Sequence, residues 1–158
     1  MNRINTTEGR VYLVTLDGKT KIEAQFVPGE IVEDRTNRLQ AVPVVARSND
    51  QFQYTGGEDT INLKLQFYAD DDNRESAIQK VRDIQAIGMS DGPFGKAKRV
   101  KFIFGKLYRR HVWSIKKVSS NLSNFDNFNN YYPLFATVDI QLVLNPINNR
   151  RRSSVSTL

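Results

Sequence analysis

Apolar and polar residues alternate with a period of two in two stretches of this chain. In the first, Ile61, Leu63, Leu65 and Phe67 take every second position, with Asn62, Lys64 and Gln66 between them. In the second, Ala136, Val138, Ile140, Leu142 and Leu144 alternate with Thr137, Asp139, Gln141 and Val143. Successive strand side chains point to opposite faces, so this period predicts two half-buried β-strands; a helix would scatter the same residues around its circumference. Fully burying each large apolar group is worth about 1.5–3 kcal/mol, an upper bound because denatured chains are already partly compact. Gly56-Gly57, just ahead of the first strand, reads as a turn.

Weaker patterns fill in the rest. Segments 11–16 and 21–27 flank Asp17-Gly18, the dipeptide that favours a type I′ hairpin turn with positive φ at both central residues. The first of these strands is apolar on both faces, as expected if it is buried on both sides or paired with another subunit. Val100, Phe102 and Phe104 alternate with Lys101 and Ile103, and Gly105 closes that strand. Segment 112–118 reads as another, with Trp113 and Ile115 on one face and Val112 and Val118 on the other. Helical spacing appears once, in Ala77, Ile78, Val81, Ile84 and Ile87, predicting a helix over 74–87. Asp70, Asp71, Asp72 and Asn73 offer it capping oxygens, and Gly88 suits its C′ position.

Two segments resist assignment. Residues 29–50 are long, charged and weakly periodic, with at most a short strand over 42–46 around Pro43. A connection this long inside a compact domain is usually functional or disordered. Residues 121–133, NLSNFDNFNNYYP, read as a long hairpin connection. With one helix and no βαβ alternation, the fold class is mainly β, an antiparallel barrel or sandwich. Residues 1–147 form one β domain, and 148–158, with Arg150, Arg151 and Arg152, form a basic flexible tail.

Composition narrows the chemistry. At 158 residues, 39% apolar and 25% charged, the chain is long enough for a real core, and the absence of cysteine excludes disulfides and cysteine-ligated metals. MNRINTTEGR lacks the apolar stretch of a signal peptide, and no run of 18 apolar residues suggests a membrane anchor. The charge of +6 raises the question of a polyanion partner. Lys96, Lys98, Arg99 and Lys101, followed by Lys106, Arg109 and Arg110, read first as solvated faces. His111, the only histidine, lies beside two arginines and makes a poor general base. No nucleophile elbow or phosphate loop is present, so neither an enzyme nor a cofactor is expected.

The ordered landmarks resemble the tube-type domain of contractile injection systems. They look most like the small baseplate adaptor or tube-initiator proteins of contractile-tailed phages. The residues that carry this are Phe26 and Pro28 around Val27, Gly56-Gly57 before the alternating strand, the strand ending Phe104-Gly105, and Tyr132 to Val138. Val27 stands where the family's step has Asn, and the chain stops where a LysM domain would often start, so peptidoglycan binding is not implied. The resemblance implies a hexameric ring around a channel, joining tail tube to hub and spike in the virion baseplate and assembled in the host cytoplasm. Its partners would be tube, hub and wedge proteins, with DNA only in passage. It makes Asn62, Lys64 and Gln66 candidates for the lumen face. Segment 29–50 becomes a candidate inter-subunit arm, with Ile31, Val32, Leu39, Val42, Val44 and Val45 as its apolar contacts. A wedge subunit, or a β-barrel that binds nucleic acid through Lys96 to Lys117, are the competing expectations.

Overall fold

The computed structural model describes residues 10–45, 49–89 and 95–145. Its elements in chain order are β1 (Val11–Thr15), β2 (Lys21–Glu23), β3 (Ile31–Val42), β4 (Gln51–Tyr68), α1 (Ser76–Gly88), β5 (Arg99–Phe104), β6 (Trp113–Phe125) and β7 (Pro133–Leu144). The strands form one antiparallel sheet in the order β2-β1-β5-β6-β7-β4-β3. The mainly β, antiparallel, one-helix expectation is met. The sheet is open, however, with β2 and β3 as separate edges, where a closed barrel or two-sheet sandwich was expected.

Both clearly alternating stretches are strands in the predicted phase. Ile61, Leu63, Leu65 and Phe67 lie opposite Leu142, Ile140, Val138 and Ala136, and all eight are buried. Ala77, Val81, Ile84 and Ile87 of α1 cover that face. The doubly apolar β1 is buried within the subunit itself. Leu13 joins the core, while Tyr12 on the opposite face lies under the Lys21 ammonium, 3.9 Å from the ring centroid.

Several local expectations are corrected. The Asp17-Gly18 turn is not type I′, since only Gly18 has positive φ (74°); Asp17 instead accepts hydrogen bonds from Thr15 Oγ1 and the Lys19 N–H. Helix α1 begins later than predicted, after Glu75, which makes no side-chain cap. The upstream polar groups cap the preceding turn, with Asn73 Oδ1 accepting from Glu75 N–H and Ser76 Oγ from Asp70 N–H. Gly88 is the last helical residue, not a left-handed C′ residue. In β6, Lys116 is an extra residue between Ile115 and Lys117. Such a bulge shifts the alternation by one. Ile115 and Val118 therefore face the same core, opposite Leu142 and Ile140, where opposite faces were predicted. Strand β6 also continues to Phe125, leaving a shorter β6–β7 turn than the 121–133 connection expected.

The largest correction concerns 29–50. Residues 31–42 of it are a strand, not a loop: β3 pairs with β4 from Ile31↔Leu63 to Val42↔Gln51. The strand expected over 42–46 does not form beyond Val42, and Ala46 lies outside the described residues. Gly56-Gly57 is correspondingly no turn but lies inside β4, where Thr55 is an extra residue between Tyr54 and Gly56. Gly56 takes φ 140° at this bulge, a conformation that side chains rarely adopt. A Cβ on Gly57 would meet Tyr54 Oη at 2.8 Å and the Thr36 carbonyl at 3.2 Å.

Candidate assembly surfaces

The face of the sheet opposite α1 is polar. In register across β4, β7 and β6 it carries Asn62–Gln141–Lys117, Lys64–Asp139–Ser119 and Gln66–Thr137–Asn121. Asn62, Lys64 and Gln66 thus share one surface, as the period of two requires. They floor an open groove of about 990 Å³, walled by the segment from Phe26 to Glu30 and by Val32. Lys64 reaches Asp139 at 3.7 Å, with both side chains more than half exposed. Such a pair contributes about 0–1 kcal/mol. The groove lining carries Lys64 and Lys117 against Glu30 and Asp139, so its formal charge balances.

The second surface is the arm. β4 pairs with β7 only from Thr60 onward, so among the described residues β3 is the sole strand partner of residues 51–59 of β4. At a strand rise near 3.3 Å per residue, this two-stranded extension projects roughly 25 Å from the sheet. From Val32 to Val42 every residue of β3 is exposed, and so are Gln51 to Thr55 of β4. Leu39 (59% exposed), Phe52 (69%) and Tyr54 (53%) lie on one face of it, since Leu39 opposes Tyr54 and Ala41 opposes Phe52.

Charge pairs stiffen the arm and fix its root. Arg35 donates to both Asp59 oxygens at 2.9 and 3.1 Å and to Tyr54 Oη at 3.3 Å. Tyr54 first, then Asp59, hold the guanidinium above its ordinary value. On the other face Glu58 is paired with Lys116, the bulge residue of β6, and lies 3.9 Å from Arg38. The Tyr108 hydroxyl donates to Glu33 at the arm's base. Burial, reinforced by this carboxylate, pushes the Tyr108 hydroxyl far above its usual range. None of these pairings is legible in the sequence, because no one-chain pattern links Glu33 to Tyr108 or Glu58 to Lys116.

The predicted arm residues divide. Ile31 packs against the subunit's own core and Val32 lines the groove, so both belong to the body. Leu39 and Val42 stand on the projecting arm. Val44 and Val45 follow β3, half-buried and 96% exposed respectively. Among the motif residues, Phe26 packs edge-on against Tyr68 with centroids 5.5 Å apart, and Pro28 is buried. Phe104 is half-buried beside Phe102, and Gly105, with φ 54°, opens the turn that carries Tyr108.

Residues of the proposed basic face are partly engaged elsewhere. Lys116 holds Glu58, Lys98 Nζ reaches the Ala86 carbonyl of α1 at 3.5 Å, and Lys117 lines the balanced groove. Among the described residues no cluster of three potential metal ligands occurs, and no helix is long and apolar enough to cross a membrane. The sequence matches no protein-family model, and a search of curated proteins finds no match.

Proposed function

We propose that this chain is a ring-forming structural subunit of a contractile tail baseplate, an adaptor or initiator between tail tube and central hub. The observation that carries this reading is the arm. An isolated two-stranded ribbon is marginal in water, and β3 offers a row of unpaired backbone groups along its outer edge. Its exposed Leu39, Phe52 and Tyr54 give a neighbouring copy something to cover. A ring supplies that cover once per subunit, and the family resemblance gives the ring its place. In this arrangement Asn62, Lys64 and Gln66 face the channel, and the balanced groove suits passage without retention. The same balance lends no support to nucleic-acid capture. A wedge subunit differs in stoichiometry, so counting copies in an assembled baseplate separates the two.

The test is association of the full chain with and without an intact arm. Leu39→Asp with Phe52→Asp should leave a folded protein that no longer forms rings on negative-stain grids. Substitution is cleaner than deleting 32–47, which would strip the edge strand from Ile61 and Asn62. Rings that persist in the double variant would exclude the arm as the contact.

A further inference from the structure

The two edges of the sheet are unequal. β2 is three residues long, whereas β3 runs for twelve without a proline or a lysine. Short strands, edge prolines and lysines, and bulges are the devices that keep a sheet edge from pairing with another chain. The arm's bulge belongs to β4, at Thr55, and leaves β3 regular. Among the described residues β4 is the only strand paired with β3, and every residue from Val32 to Val42 is exposed. A second copy's β2 is too short to cover such an edge. A second copy's β3 matches it in length.

Two antiparallel copies of one strand meet about a two-fold axis, and each side chain stays on its own face of the merged sheet. A residue therefore opposes itself or one an even number of positions away. Charge then separates the registers. An axis at Asp34, Arg35 or Arg38 sets like charges directly opposite, which is destabilising. An axis at Asn37 brings no charges together. An axis at Thr36 sets Asp34 opposite Arg38 twice, once on each side, with Thr36 opposite its own copy. Around them Arg35 meets Asn37, Glu33 meets Leu39 and Val32 meets Gln40, so no like charges face each other.

Both members of the charge pair are available. Asn62 Nδ2 donates to one Asp34 oxygen at 3.0 Å, which leaves the other oxygen to accept. The Arg38 side chain is 72% exposed and 3.9 Å from Glu58, whose carboxylate is held by Lys116. We propose that a second copy of this chain pairs with β3 edge to edge, about a two-fold axis at Thr36. The ladder runs from Val32 to Gln40 on each copy. Main-chain hydrogen bonds supply the attraction, and the Asp34–Arg38 pairs fix the register. The pair uses the backbone edge of the arm rather than its apolar face, so it goes beyond the ring reading and does not depend on it.

The chain has no cysteine, so a single introduced thiol reports the register. Opposed residues of antiparallel strands have Cα atoms about 4.5–5.5 Å apart, within the range a disulfide spans. Mild oxidation of full-length Thr36→Cys should therefore give a covalent dimer on a non-reducing gel. Val42→Cys should stay monomeric, because its two copies stand about 40 Å apart in this register. Asp34→Arg should raise the dissociation constant of the reversible pair about tenfold, since both symmetry-related contacts turn repulsive. Adding Arg38→Asp should restore it, because opposite charges face each other again. A monomeric Thr36→Cys with an intact backbone spectrum overturns the proposal. So does equal crosslinking at both positions, or a double reversal that fails to restore pairing. Rings on grids without the Thr36 crosslink would overturn the pair alone; the crosslink without rings would support the pair and count against the ring.

Discussion

Strand β4 is two different objects along one continuous backbone. From Ile61 to Phe67 it is dry on one face, under α1 and beside β7; from Gln51 to Thr55 it is exposed on both, with β3 as its only strand partner among the described residues. β3 pairs antiparallel with β4 from Gln51 as far as Leu63, interrupted only by the bulge at Thr55. The two halves differ in cover, and cover is what converts apolar area into stability. The lower half therefore holds the described core together, and the upper half carries apolar groups, Leu39, Phe52 and Tyr54, that none of the described residues bury.

Substitutions of one ring in each half break this comparison most sharply. Phe67→Ala, at a fully buried site, should cost about 3–5 kcal/mol in urea unfolding. Phe52→Ala should change the stability of the dilute subunit by no more than about 0.5 kcal/mol, while weakening its association. Equal losses at both positions would mean the arm is already covered within one subunit.

How much of this was readable in the sequence follows from the same contrast. Where one face is buried, selection of side chains leaves a period of two, as in Ile61 to Phe67 and Ala136 to Leu144, or a helical stripe, as in Ala77 to Ile87. β3 has no such imprint between Val32 and Val42 because neither of its faces is buried in the subunit, so a long strand looked like a loop. The glycine pair was misread for a related reason. Gly-Gly marks a turn by default, yet Gly56 serves a bulge and Gly57 makes room for Tyr54, a contact set by pairing with Thr36 and Asn37. The inserted Lys116 likewise reverses the phase of β6 without any signal in composition. That Asn62, Lys64 and Gln66 share one polar face was legible because they are the polar half of a readable pattern. The charge pairs at the arm's root were not, because they join segments far apart in sequence.

Smaller effects sharpen the comparison within the arm and its surroundings. Gly57→Ala should strain the ribbon by about 1–3 kcal/mol, as overpacking does. Hydrogen exchange should show the loss locally, in amides of residues 35–38, while those of β7 keep their protection. A uniform loss would show that arm and body unfold as one unit.

The link between them has a pH signature. Tyr108 has its hydroxyl held neutral by burial and by Glu33, so its value is higher in the folded than in the unfolded chain. The stabilisation is then complete below about pH 10, the unfolded tyrosine value, and is lost as the pH rises above it. Tyr108→Phe should flatten this part of the alkaline decline in melting temperature; an unchanged profile would detach Tyr108 from the arm's stability.

The smallest effect belongs to the β6–β7 turn. Asp126 lies below its ordinary value because the Asn129 side chain and the Phe128 N–H donate to it, with Arg74 nearby. That contribution is present above about pH 4 and disappears as the pH falls through the folded-state value. Asp126→Asn should slightly loosen the turn at neutral pH and leave the acid limb shallower, with no change in association.

Native mass measurement of the purified full chain over a concentration series tests ring formation through the arm most directly. A closed oligomer of one fixed copy number is expected for the unmodified chain, and monomer for Leu39→Asp with Phe52→Asp. Monomer at every concentration for the unmodified chain, or the same oligomer in both proteins, would contradict it.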